Sequence, residues 1–467
     1  MRNPTFPGRR SLIWLGTALV VVMSVACSAA PQSSPSPSPA PTAAPTASPT
    51  ARPSPVLSPS ALPSEAAIQL ARANVPRAAG SEADAKAAAD AINAFAFDVH
   101  RRLVAGDKGL VFSPTSIAIA LGMARTGAVG PTGAEMDDVL HAVPAGNYAA
   151  WLNALDQALA QRSGTFEDDD GKTHEISLDI ANSYFAQRGL AFEEPFLEGL
   201  ASNFGAGMQL VDFKTDPVAA RQLINAWADE QTRGRIPEVL QPPDVTAATR
   251  LALVNAIYLK APWYRPFWME HTTTETFTRP DGDAVQVPMM HAGIGTRCAT
   301  GPGWGAIELP YIGRELAMLV IVPDDLRAFE TSLQPGTIDA IEKAMDVVEA
   351  VPEVSLPRFS FETRAELGTM LADLGMPRAL DPDLADFSAM TTQERLFIGK
   401  VVHQANISVD EKGTEAAAVT VVGVDTGGGP PERCVVAANR PFLFAIRDSE
   451  TGAILFLGRI TDPLETS

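Results

Sequence analysis

Proline is spread so unevenly along this chain that it divides the sequence before any helix or strand is considered. Many of its 38 prolines, in 467 residues, crowd between Ser28 and Ser64, a stretch made almost wholly of Pro, Ser, Ala and Thr. Such a segment has too little apolar surface to offset the entropy of ordering it, so it stays extended and solvated. In polyproline form, at about 3.1 Å per residue, it reaches at most on the order of 115 Å. Folding is therefore confined to residues 65–467, where composition turns globular and no second proline-rich break or internal repeat occurs.

What precedes the stalk reads as an address. Arg2, Arg9 and Arg10 stand before an apolar run from Leu12 to Ala26. The run is shorter than the roughly 20 residues of a spanning helix, which suits a signal-peptide core. It ends in Ser24-Val25-Ala26-Cys27. Small residues before a lone cysteine resemble a bacterial lipobox, in which the cysteine is lipidated and becomes the new N-terminus. The position three before the cysteine is usually Leu and here is Ser24. An ordinary cleaved signal is the other reading. Arg9-Arg10-Ser11-Leu12-Ile13 also fits a loose twin-arginine pattern. The expected organisation is an address over 1–27, a linker over 28–64 and a domain over 65–467, exported and held off a bacterial cell membrane by lipid on Cys27.

Charge and cysteine count exclude several functions. Lys and Arg total 36 against 55 Asp and Glu, a formal net charge of -19, which repels phosphate backbones and argues against nucleic-acid binding. Three cysteines cannot form a disulfide framework or a structural zinc cage. Cys298 and Cys434 could pair in an oxidising compartment or stay as two free thiols. The six histidines never occur as a metal-spaced pair. Asp168-Asp169-Asp170 could take calcium, but a solvated loop suits it better. There is no Gly-x-Ser-x-Gly elbow and no phosphate loop, and Gly301-Pro302-Gly303-Trp304-Gly305 lacks dinucleotide-loop spacing. No metal or cofactor is expected.

Periodicity outlines the domain. Glu82–Val104 predicts a helix, with Ile92, Phe95, Val99 and Leu103 on one face. Ser113–Met123 predicts a buried helix, Tyr148–Leu159 an amphipathic one, and Ala365–Gly375 a helix stopped by its glycine. Leu251–Leu259, Leu316–Val322, Val354–Leu356 and Leu396–Val409 predict strands. Phe442–Ile446 and Ile454–Leu457 flank a hairpin turn at Asp448–Gly452. Early helices and late strands argue for α+β with large, mostly antiparallel sheets.

The most informative stretch runs from Asp410 to Asn439. From Thr414 onward the even positions are Thr414, Ala416, Ala418, Thr420, Val422 and Val424, all small or β-branched, while the charges Glu415 and Asp425 fall on odd positions. That is a strand with one buried face. It then runs into Gly427-Gly428-Gly429-Pro430-Pro431, which is irregular and exposed. The segment is suited to enter a packed sheet; alternation alone fits a permanent strand equally well.

Here the sequence resembles the serpins. Glu411-Lys412-Gly413-Thr414-Glu415-Ala416-Ala417-Ala418 looks like the hinge of an inhibitory serpin's reactive-centre loop. Phe112-Ser113-Pro114-Thr115-Ser116-Ile117-Ala118, with Gly127-Ala128, looks like the family's helix beneath the main sheet. Ile224-Asn225-Ala226-Trp227 with Thr232–Ile236 is similar to its helix F region. Leu253–Lys260, Trp263 and Pro266-Phe267 resemble its third main-sheet strand. Asn439–Phe444 and Leu457–Arg459 resemble its C-terminal strands. These motifs keep family order from about residue 80 to 463.

The resemblance implies about three sheets, eight or nine helices and an exposed reactive-centre loop. It implies a non-enzyme that traps a serine or cysteine protease as a suicide substrate. The protease acylates itself on the loop, and the cut loop then enters the main sheet and drags it along. It implies a hinge of Gly413, Thr414, Glu415, Ala416, Ala417 and Ala418, and a Glu411–Arg358 ion pair at the top of the sheet. It also implies a polar cluster of Ser113, Ser116, Asn255 and His403 where strands must part. The reactive bond is bracketed by Asp425 and Arg433, with Thr426, Gly427 and Gly428 favoured. Small residues there suit an elastase-like or subtilisin-like partner acting on a monomer. Arg433-Cys434 would suit a trypsin-like protease, but lies where the next strand should begin. A non-inhibitory binding or scaffolding role is the alternative.

Overall fold

The computed structural model describes residues 68–104, 106–144, 146–293, 297–345, 351–414 and 433–465. Cys27, the stalk, Glu415–Ala418 of the hinge and the bracketed bond at Thr426, Gly427 and Gly428 lie outside them.

In chain order the elements are β1 (Gln69–Ala71), α1 (Glu82–Leu103), β2 (Leu110–Phe112), α2 (Pro114–Arg125), α3 (Gly130–Val139), α4 (Tyr148–Ala160), β3 (Gly164–Glu167), β4 (Thr173–Gln187), α5 (Glu194–Phe204), β5 (Met208–Val211) and α6 (Pro217–Gln231). Then follow β6 (Leu251–Pro262), β7 (Thr273–Thr278), β8 (Ala284–Ala292), β9 (Arg297–Gly301), β10 (Trp304–Pro310), β11 (Leu316–Pro323), α7 (Leu326–Ser332) and α8 (Thr337–Met345). The chain closes with β12 (Val351–Pro357), β13 (Phe359–Glu366), α9 (Gly368–Leu374), α10 (Pro377–Leu380), β14 (Val401–Asp410), β15 (Gly413–Thr414), β16 (Arg433–Ala437), β17 (Phe442–Asp448) and β18 (Ile454–Ile460).

Three sheets result, as expected for α+β. The main one runs β1-β5-β4-β6-β15-β14-β13, with β3 attached to β4; a six-stranded sheet runs β2-β18-β17-β11-β10-β9 and a four-stranded one β16-β12-β8-β7. Local chemistry explains the helices beneath and above the main sheet. α2 starts at Ser113, whose hydroxyl accepts the Ser116 N–H, and Pro114 opens its first turn. Its residues from Pro114 to Ala124 are all buried, because it lies between β4 and β6 on one side and β18 on the other. α6 covers the opposite face of the main sheet, where Ala252, Val254, Ala256 and Val402 meet Leu223, Ile224 and Ala228. β6 is thus covered on both faces along much of its length, which is why it reads as a continuous apolar run.

Several expectations need correction. Ten α-helices occur among the described residues, not eight or nine. α7, α9 and α10 span one or two turns, too short for a periodic face to stand out. Ala365 and Glu366 belong to strand β13, and the helix starts only at Gly368; Gly375 does end it, at φ +127°. The strand predicted over Leu396–Val409 begins at Val401. Leu396 and Ile398 are buried by irregular chain whose Ile398 N–H bonds to the Ala379 carbonyl, so core packing mimicked strand alternation. Arg433 does open the next strand and pairs with Glu353. Cys298 and Cys434 form a disulfide between β9 and β16, with Cα atoms 6.3 Å apart and both residues buried. In the acidic loop Asp168 accepts the backbone N–H groups of Asp170 and Lys172 and bonds the His174 ring.

Candidate functional site

The site is a parting between two neighbouring strands. β6 and β14 run parallel and pair directly over four residue pairs only, from Leu253↔Val401 to Ala256↔Gln404. Further up, β15 is wedged between them, antiparallel to both: Thr414 faces Ala261 and Val409, and Gly413 faces Pro262 and Asp410. Between these two zones, residues 257–260 and 405–408 have no strand between them among the described residues.

The wedge is held by a tight turn. β14 returns through Glu411-Lys412, with the Lys412 N–H donated to the Asp410 carboxylate at 2.8 Å. Gly413 follows at φ +152°, a conformation that disfavours a side chain. Three bonds to backbone carbonyls fix the turn: Trp263 N–H to the Lys412 carbonyl, Phe267 N–H to the Glu411 carbonyl, and the Trp263 indole N–H to the Asp410 carbonyl at 3.0 Å. The Trp263 ring stacks on Tyr311, centroids 4.5 Å apart. The Tyr311 and Thr414 hydroxyls share a buried hydrogen bond of 2.7 Å. Thr414 is 2% exposed, so the first even position of the hinge already faces inward.

Glu411 carries the charge of the turn. Its carboxylate is buried, and Arg358 Nε lies 2.8 Å from both its oxygens while the Thr272 hydroxyl donates to one of them. Burial pushes its pKa up, but the guanidinium and hydroxyl outweigh that and hold the carboxyl below its ordinary value. The contribution is therefore complete above the ordinary carboxylate pKa and is lost as pH falls through the depressed one. Arg358→Met should strand this carboxylate. Arg358 is itself 40% exposed, so the loss at neutral pH is discounted to about 1–3 kcal/mol. Urea unfolding at neutral pH measures it, and the deficit should shrink in acid.

The lower zone is sealed by a polar row. His403 on β14, Asn255 on β6 and Asn182 on β4 are register partners across three strands. His403 Nε2 accepts the Ser113 N–H at 3.0 Å, so its Nδ1 carries the proton and donates to Asn255 Oδ1 at 2.8 Å. Asn255 then donates to Asn182 Oδ1 at 2.6 Å. Of the four residues named from sequence, Ser113, Asn255 and His403 are joined. Ser116 is not: its hydroxyl is buried without a partner among the described residues, and only its N–H takes part, as the capped group of α2. Asn182 completes the row and went unread: Ile176, Leu178 and Ile180 alternate with Glu175, Ser177 and Asp179, but the alternation breaks at Ala181-Asn182-Ser183, where the row's residue stands.

Burial pushes the His403 pKa down to about 3. The ring is neutral when folded and protonated when unfolded between that value and about 6.5. Stability must then fall as pH drops below about 6.5, by up to about 1.4 kcal/mol per pH unit from this ring. Urea titrations at several pH values should show that slope diminished in His403→Gln.

A family model for serpins, serine protease inhibitors, matches residues 90–463. An uncharacterized serpin-like protein of Thermococcus kodakarensis is 38% identical over 387 residues, covering 82% of this chain and 87% of that protein. The leukocyte elastase inhibitor of Bos taurus is 34% identical over 371 residues, covering 76% and 93%. Among solved structures, the native thermophilic serpin tengpin superposes with a TM-score of 0.71 at 26% identity, covering 84% of this chain and all of tengpin. Thyroxine-binding globulin in complex with thyroxine gives a TM-score of 0.68 at 28% identity, covering 80% and 99%. The family match, the ordered motifs and the three-sheet fold agree: this chain belongs to the serpin family.

Proposed function

We propose that this protein inhibits a serine or cysteine protease by acting as a suicide substrate whose cut loop enters the main sheet. One observation carries the reading. The first two residues of the entering strand are already paired between β6 and β14, and the register they set continues into the parting that no strand of the described residues fills. Counting on places Ala416 opposite Leu259 and Ile407, Ala418 opposite Ile257 and Ala405, and Thr420 between Asn255 and His403. Small side chains suit the upper positions. At Thr420 a hydroxyl would take the place of the His403–Asn255 bond that parting breaks. Roughly ten new strand hydrogen bonds at about 1 kcal/mol each favour the entered form.

The favoured targets are elastase-like or subtilisin-like enzymes, from the small residues at Thr426, Gly427 and Gly428. The relative named leukocyte elastase inhibitor supports that choice. The same reading keeps the body exported and tethered through lipid on Cys27, which mass measurement of the processed N-terminus would check. The test of inhibition is a gel. Mixed with elastase or subtilisin, the protein should give a band at the summed mass that survives SDS. Cleaved inhibitor alone, beside fully active protease, would reject trapping and leave the binding role.

A further inference from the structure

The strand that follows the loop is attached in two ways. Among the described residues β16 is an edge strand, paired with β12 alone, over the five pairs from Arg433↔Val351 to Ala437↔Ser355. Its second attachment is covalent. Cys434 is bonded to Cys298 of β9, so the disulfide ties the edge of the four-stranded sheet to the edge of the six-stranded one. Both sulfurs are shielded, Cys434 being 6% and Cys298 2% exposed.

The loop is too short to ignore this tie. Eighteen residues separate Thr414 from Arg433. Continued to its end, the register set by β15 brings Val422 opposite Leu253 and Val401. That is eight residues of strand, about 27 Å. In an uncut chain the ten residues 423–432 must then return over the same length. They must also reach Arg433, which pairs with Val351, seven residues before the Arg358 that clamps the hinge turn. Only Arg358 separates β12 from β13, so β12 leads away from the main sheet for roughly another 23 Å. Ten residues span at most about 36 Å. Full entry without cutting thus requires β16 to peel from β12. With Cys434 fixed, peeling frees Arg433 alone, which adds about one residue of reach.

We propose that the Cys298–Cys434 disulfide is a staple that restricts full loop entry to the cleaved chain. It rests on the inhibitor reading. Once the loop is cut, the entering strand needs no return path, and the C-terminal piece stays covalently attached to the body. In the uncut chain the staple keeps the loop available to a protease. An oxidising location outside the cytosol would preserve it.

The experiment holds the uncut, full-length protein below its unfolding temperature. It follows conversion to a form that is still uncut, resists heat and is no longer cleaved in the loop. Parent, the Cys298→Ala/Cys434→Ala variant, and parent reduced with a water-soluble phosphine are compared. The phosphine gives two electrons to the S–S bond and takes its oxygen from water, and each sulfur leaves as a thiol. Conversion should be at least tenfold faster in the reduced and double-alanine proteins than in the parent. Equal rates in all three, or conversion in none, would overturn the staple, as would reaction of both thiols when the unreduced parent is denatured. Reduced parent serves if the variant fails to fold. Nicked samples run alongside: if nicking gives no heat resistance, the inhibitor reading falls and the staple with it. If nicking gives resistance while uncut conversion ignores the disulfide, only the staple falls.

Discussion

Thr414→Arg should turn the inhibitor into an ordinary substrate. Thr414 is 2% exposed, between Ala261 and Val409, with its hydroxyl on Tyr311. A guanidinium there must either be buried without a counter-charge, at a cost of several kcal/mol, or keep the hinge out of the sheet. Loop cleavage happens outside the sheet and should proceed within about threefold of the parent rate. The SDS-stable complex should fall by more than about a hundredfold, since each 1.4 kcal/mol is a factor of ten. Comparing cleaved with trapped product on one gel measures both. Undiminished complex would mean that Thr414 does not have to enter the sheet.

The second large effect is on heat resistance. Nicking between Asp425 and Arg433 should raise the unfolding midpoint on the order of 10–20 °C. That follows from roughly ten hydrogen bonds at about 1 kcal/mol each. A domain of this size has an unfolding entropy of about 0.8 kcal/mol/K near 60 °C, so each kcal/mol is worth somewhat more than one degree. The rise is expected although a peptide bond has been lost, which is the reverse of what nicking does to an ordinary fold. Scanning calorimetry of intact and nicked protein decides it. An unchanged midpoint would mean that the intact form holds no stabilisation in reserve.

Much of this was legible in the sequence, and the reasons differ by element. α1 was read to within a residue because its cap, its acidic first turn and its buried Ile92, Phe95 and Val99 agree with one another. β6 was legible because both its faces are buried. The Glu411–Arg358 pair was reached through family resemblance, since nothing local in either segment points to the other across 53 residues. β4, at 15 residues the longest strand among the described residues, was missed although Ile176, Leu178 and Ile180 alternate with Glu175, Ser177 and Asp179; the pattern breaks at Ala181-Asn182-Ser183. Asn182 was lost with it. Ser116 meets the row only through its backbone N–H on the Ser113 hydroxyl, since sequence supplies the residue but not the direction of its hydroxyl. The disulfide could not be read from spacing, because sheet packing alone brings β9 and β16 together across a separation of 136 residues.

The stacked Trp263 gives the molecule a built-in optical label. Its indole N–H rests on the last carbonyl of β14, and its ring lies flat on the phenol that bonds Thr414. A strand arriving beside it changes the polarity around that ring. Trp263 is one of six tryptophans, so the part of a dye-free stopped-flow emission change that times the arrival should be the part that Trp263→Phe removes.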